Sequence, residues 1–197
     1  LLGTLFYAVW LRVPKLTSLF FSFGIYDANR LLSEYSQNLS RITEIEQLAQ
    51  VSISLICKAL KVQYGFLVEV YSEQDSDQPI YHLVGLASFG KEEPVELVLQ
   101  QQSALYHYFQ RSREQWFPAP REPSLHCSSL SIEESNWISN LSGAVYIPIY
   151  TLDEWIGLIV LGPKTSTRQY SDEEMTFIIT LADQLSLALK NARLIDS

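Results

Sequence analysis

The residues with the most chemistry to offer are two cysteines and three histidines. His126 and Cys127 are neighbours. A thiolate beside an imidazole can act as a nucleophile, a metal ligand or a thioether attachment point. One His and one Cys are too few for a closed metal site, and an exposed loop dipeptide is the plainer reading. His82, between Tyr81 and Leu83 in a strand-like run, reads as a half-buried structural imidazole. His107 lies between Tyr106 and Tyr108 on a helical run, and one of these three should line the interior. Cys57 falls in an apolar helical pattern and reads as a small core residue. The sequence holds no GxSxG elbow, no HExxH pair and no phosphate-cradling glycine loop. No residue is therefore assigned a catalytic role.

Pocket walls are mostly apolar with a few polar groups. Phe66, Trp116, Phe117, Trp137, Tyr146 and Trp155 are the aromatic candidates for such a wall. His107, His126 and Cys127 are its polar candidates. The sequence names no cofactor for this set and assigns no metal.

The elements that must position these residues follow from periodicity. Asp27 caps a predicted helix to Arg41, with Leu31, Leu32, Tyr35, Leu39 and Ile42 at helical spacing. Thr43 and Glu46 form a capping box for a helix reaching Leu60, with Ile45, Leu48, Ala49, Leu55, Ile56 and Ala59 on one face. Tyr64–Tyr71 alternates with period two and pairs with Ile80–Ser88 as a hairpin across the polar SEQDSDQ. Val95–Arg111 reads as a helix. Glu114–Ser131 carries Pro118, Pro120 and Pro123 and predicts irregular backbone, followed by a short helix over Ile132–Ile138. Gly143–Tyr150 and Glu154–Gly162 form a second, apolar hairpin, and Pro148 places its strand at an edge or a bend. Ser171 and Glu174 cap a long helix with Phe177, Leu181, Leu185, Ala188, Ala192 and Ile195 on one stripe. Lys164 is expected to pair with Asp172 or Glu173 and clip the preceding loop to that helix.

Hairpins imply an antiparallel sheet, and helices from both ends of the sequence can share one of its faces. The expected class is α+β: a central antiparallel sheet, terminal helices on one face, and a pocket on the other. Glu114–Ser131 and the helix after Pro94 should bound that pocket. Residues 1–25 form an apolar extension, 26–43 a linker helix and 44–197 the folded domain. The end helices carry more apolar positions than one buried stripe needs, which predicts a homodimer through them.

Hydrophobic residues make up 47% of the 197-residue chain, enough for a sizeable core. The formal net charge of -8 lacks the basic footprint of a nucleic-acid binder. Two cysteines without a CxxC pair suit a reducing, cytoplasmic setting. The start at Leu1 points to a fragment or a processed product. LLGTLFYAVWL and LTSLFFSFGIY are apolar runs of about 11 residues, against the roughly 20 that span a bilayer. Two readings stand open. The first run is the end of a membrane helix flanked by Arg12 and Lys15, or residues 1–25 pack on the domain. No basic n-region precedes the run, which argues against a secretory signal.

GAVYIPIY, WIGLIVLGPK, YSDEE and LADQLSLALKNARL follow one another between Gly143 and Ile195. Together they resemble the C-terminal half of a GAF domain. Residues from about Glu44 to Ser88 are similar to its first helix and hairpin. The ending ALKNARL is similar to GAF domains that precede the dimerisation helix of bacterial histidine kinases. The resemblance implies a non-catalytic sensory module that relays ligand or conformational state through its terminal helices to a downstream kinase region. The alternative it implies is a dimerisation and relay module that binds nothing. Its expected partners are a small molecule, a second copy of the chain and the kinase region. Its expected place is the cytoplasm, in a membrane-anchored protein if the first run is a membrane helix. Lys164, Tyr170, Asp172 and Glu173 are similar to residues of cyclic-nucleotide-binding members, but Pro163 stands where those carry Asn. Bilin-binding members often have Cys followed by His, and here the order is His126-Cys127. Free methionine sulfoxide reductases of the same fold need several active-site cysteines, and Cys57 is expected to be buried.

Overall fold

Leu48, Ala49, Ser52, Ile53, Ile56, Cys57 and Leu60 recur at steps of three and four and are all buried. They form the inner face of α1 (Ile45–Leu60), as helical spacing requires. Leu55 and Ala59, expected on that face, lie half-buried on its flank. Lys61 takes a left-handed conformation (φ 54°) and ends the helix. The computed structural model describes residues 45–73, 79–110, 117–118, 130–151, 154–166 and 168–196. The extension 1–25, the linker helix Asp27–Arg41 and the Thr43 cap lie outside the described residues.

The two expected hairpins are present. β1 (Gly65–Glu73) pairs antiparallel with β2 (Ile80–Phe89), with Val70 opposite Leu83 and a register shift between Leu67 and Val68. β5 (Val145–Tyr150) pairs antiparallel with β6 (Trp155–Leu161). Two short strands complete the sheet: β3 (Leu97–Gln100) beside β2, and β4 (Phe117–Pro118) beside β5. The order is β3-β2-β1-β6-β5-β4. Pro148 lies beyond the part of β5 that β4 pairs with, so its missing N–H costs no described ladder bond.

The expected helix over Val95–Arg111 is not continuous. Leu97 and Leu99 are buried while Val98 and Gln100 are exposed, which is the period of a strand. The chain turns at Gln101–Ser103, and only then does α2 (Ala104–Gln110) begin. Helical spacing within Ala104, Leu105 and Tyr108 masked the short strand before them. α3 (Ile132–Leu141) starts at a capping box made by Ser131 and Glu134 and stops at Ser142 in the left-handed region.

α4 (Asp172–Asp196) has its own capping box: Glu174 N–H donates to Ser171 Oγ, and Ser171 N–H to the Glu174 carboxylate. The same carboxylate takes the ammonium of Lys164. Lys164 thus pairs with Glu174, not with Asp172 or Glu173. The capping box turns the third helical carboxylate back toward the loop, whereas Asp172 and Glu173 stay exposed.

Every residue of β6 is buried, as expected for a central strand covered on both faces. α1 packs on β1 and β2, α4 packs on β5 and β6, and the two helices touch each other. Gly65 lets α1 come close: a Cβ there would sit 2.6 Å from Cys57 Sγ. Among the described residues no helix is long and apolar enough to cross a membrane.

Candidate functional site

The sheet face opposite α1 and α4 is an aromatic bowl. Alternation along the strands sends Phe66, Val68, Val70, Leu83, Leu158 and Val160 to this side. Tyr146 and Trp155 join them from β5 and β6. α2 closes over the face, and α3 adds Trp137 and Leu141.

Ring geometry shows how densely the bowl is filled. Phe109 on α2 is 0% exposed, with its centroid 5.3 Å from Trp155 and 6.4 Å from Tyr146. Tyr106 stacks on Tyr81 at 4.5 Å. Each such pair adds about 0.5–1.5 kcal/mol beyond burial alone. Polar tips are matched mostly to backbone. Trp155 Nε1 donates to Gly157 O at 2.8 Å, Trp137 Nε1 to Val95 O at 2.8 Å and Tyr150 Oη to Phe109 O at 3.0 Å. Gly143 N–H donates to Tyr146 Oη at 3.1 Å. The exception is a pair of side chains: the Tyr81 and Tyr106 hydroxyls lie 3.0 Å apart and bond to each other. Burial, and then the hydrogen bond to Tyr106, push the Tyr81 phenol up to about 12.

Of the nine candidate residues, the structure brings Phe66, Trp137, Tyr146 and Trp155 together in this bowl. Phe117 lies in β4, opposite Tyr146. His107 is exposed, because the turn of α2 sends Leu105, Tyr106 and Phe109 inward instead. Of the three residues Tyr106, His107 and Tyr108, it is Tyr106 that lines the interior. Trp116, His126 and Cys127 lie outside the described residues. Tyr81, Phe109 and Tyr150 complete the bowl and were not singled out from sequence, and Tyr106 entered only as one of three residues of which one should face inward. Tyr81 alternates with Leu83, and Tyr106 and Phe109 sit at i, i+3, so strand and helix periods would have found them once α2 was separated from β3.

Two other polar groupings lie on the helix-bearing face. His82 Nδ1 is 2.8 Å from Glu96, its Nε2 is 3.4 Å from Glu73, and its ring stacks on Tyr71 at 4.9 Å. This ties β1, β2 and the start of β3 together and fits the structural role expected of His82. An open cleft of about 710 Å³ beside α1 is edged by Glu46, Gln50, Glu69 and Glu93. It lies away from the aromatic face, and its carboxylates form a solvated acidic rim. Among the described residues no group of three or more His, Cys, Asp or Glu could hold a metal ion. Cys57 is buried, and burial pushes its thiol up to about 12, which keeps it inert at neutral pH.

Comparison with known proteins gives one consistent answer. A family model described as "GAF domain" matches residues 44–191. No curated protein matches the chain significantly. Among solved structures, the GAF domain of a phosphoenolpyruvate-protein phosphotransferase from Coxiella burnetii is 19% identical, with TM-score 0.58, over 86% of this chain and 96% of that one. The phycoerythrobilin-bound GAF domain of a cyanobacterial phytochrome is 16% identical, with TM-score 0.56, over 86% and 98%. The GAF domain of a protein assigned as a sensor histidine kinase in Pseudomonas syringae pv. tomato is 16% identical, with TM-score 0.52, over 87% and 90%. At these identities the likeness establishes the fold, and these neighbours sit in different kinds of protein.

Proposed function

The chain belongs to the GAF domain family, whose members are regulatory sensory modules, and on that premise we propose that it is the sensory module of a histidine kinase. In this reading a small molecule on the aromatic face of the sheet changes the setting of α4, which carries the change to a kinase region. The carrying observation is that one strand serves both faces. Leu158 and Val160 of β6 belong to the aromatic cluster. Alternation turns their neighbours Ile159 and Leu161, also buried, toward the side where α4 packs. A shift of β6 is therefore felt by both.

The kinase assignment draws support from the similarity to the Pseudomonas syringae domain and from the ALKNARL ending. In this proposal residues 44–197 are the sensory domain, 26–43 its linker helix and 1–25 an apolar extension, with the domain in the cytoplasm. Dimerisation through the terminal helices draws support from Leu187 on α4, which is 66% exposed. It stands on the solvated face of α4 among the exposed Thr180, Asp183 and Lys190, and an apolar residue at such a position suits a helix–helix seam.

A second reading has its own observation. The bowl is filled by the chain's own rings, as a relay module that binds nothing would require. Native mass spectrometry of the protein purified from its own host separates the two. The sensory reading expects a bound mass that disappears in Trp155→Ala. The bare chain mass, from every growth condition tried, would favour the ligand-free relay.

A further inference from the structure

α2 stands between the aromatic face and anything that would bind there. It has 7 residues, short of the roughly 12–15 a helix needs to persist alone. Its position therefore depends on what it touches. Leu105, Tyr106 and Phe109 face the bowl. Tyr150 Oη donates to the Phe109 carbonyl, and the Tyr81 and Tyr106 hydroxyls bond to each other. At its start Ser103 Oγ accepts the Tyr106 N–H at 2.9 Å, and Ser103 N–H donates to Gln100 O. This makes a single turn between α2 and the edge strand β3, about which the helix can swing.

We propose that α2 is a displaceable plug: its Tyr106 and Phe109 rings occupy the ligand position, and a planar aromatic molecule with a hydroxyl at one edge replaces them by opening the Tyr81–Tyr106 latch. This rests on the reading of the aromatic face as the ligand site and adds how that site opens and what class enters it. The class follows from what α2 leaves behind. The Trp155 N–H and the Tyr146 hydroxyl are bonded within β6 and around Gly143, so both stay satisfied when α2 moves. Tyr81 does not, because its partner Tyr106 departs with the helix, and Tyr150 gives up its bond to the Phe109 carbonyl in the same step. A part-buried phenol without a partner is unfavourable. An incoming ring that stacks on Tyr81 and Trp155 must also bring a hydrogen-bonding group to Tyr81.

Two measurements on the full chain test this. Hydrogen exchange reads the gate. The amides of Leu105–Gln110 should exchange through a local opening about tenfold or more faster than those of β1 and β6. Tyr81→Phe keeps the ring and removes the latch, and should speed α2 exchange further while leaving β6 unchanged. Exchange of α2 only in step with β6, in both proteins, would overturn the plug. The second measurement reads the ligand class. Tyr106→Ala leaves a ring-sized void beside Tyr81. Added 4-methylphenol should raise the Tm of that variant, with toluene binding about tenfold more weakly for want of the hydroxyl. Equal binding of the two, or none, would overturn the class. Rescue by 4-methylphenol without local opening would leave the ligand site standing and remove only the gate. Local opening without rescue would remove the site reading as well.

Discussion

Lys164 and Glu174 form an ion pair at the entry of α4, with side chains only 11% and 5% exposed. The pair joins the loop that follows β6 to the cap of the helix that leaves the domain. The Lys164 ammonium also lies 5.8 Å from the centre of the Tyr170 ring, whose hydroxyl donates to Gly162 O at 2.6 Å. Removing one partner of such a pair leaves an uncompensated buried charge, at a cost of about 3–5 kcal/mol. Lys164→Ala and Glu174→Gln should each lower the urea midpoint on that scale. Replacing both charges, Lys164→Met with Glu174→Gln, whose amide oxygen can still accept the Ser171 N–H, should cost less than either single change. Equal or additive losses would show that the pair is not coupled.

Gly65 is the point where α1 presses on β1. An alanine Cβ would meet Cys57 Sγ at 2.6 Å and Ile53 Cδ1 and Leu161 Cδ2 at 3.1 Å each. Overpacking of this kind costs about 1–3 kcal/mol. Gly65→Ala should be destabilised by that amount in urea denaturation, and Cys57→Ala in the same chain should recover part of the loss. A cycle with no recovery would place the strain elsewhere.

Alkaline pH should unfold the domain through its buried acids. In the folded chain the Cys57 thiol and the Tyr81 phenol are pushed up to about 12, from 9.0 and 10.0. A raised acid contributes stability that is complete below its unfolded value and is lost as pH rises through its folded value. Stability should therefore hold through neutral pH and fall between about 9 and 12, and Cys57→Ala should delay the first part of that fall. Urea midpoints measured across this range check it. A midpoint that stays flat to the top of the range would contradict the burial of both groups.

The proposed dimer makes Leu187 the residue to change. Leu187→Glu should weaken association roughly 10- to 100-fold, since burying one leucine is worth about 1.5–3 kcal/mol. Monomer stability should be unchanged. Sedimentation of both proteins reads the difference, and identical association would remove α4 from the interface.

Much of this architecture was legible in the sequence, for specific physical reasons. Phe66, Val68 and Val70 recur at a period of two, which sends their side chains to one face of a strand. The Ser171 and Glu174 box announced the start of α4 because its two hydrogen bonds are local. β3 was hidden because four residues are too few to establish a period beside a helix of their own. The partner of Lys164 was missed because three consecutive carboxylates compete for it, and the choice depends on which one the cap turns inward. The bowl was half legible: Trp137, Tyr146 and Trp155 stood out by type, whereas Tyr81 and Tyr106 meet across 25 residues of chain, a contact no local pattern encodes.

A sensory role requires that what happens in the bowl be felt along α4. The most direct test is hydrogen exchange across the Tyr106→Ala chain with and without 4-methylphenol. The expected result is altered protection in β6 and along Met175–Leu189 of α4, together with the change in α2. Protection altered in α2 and β3 alone, with α4 identical in both states, would contradict it.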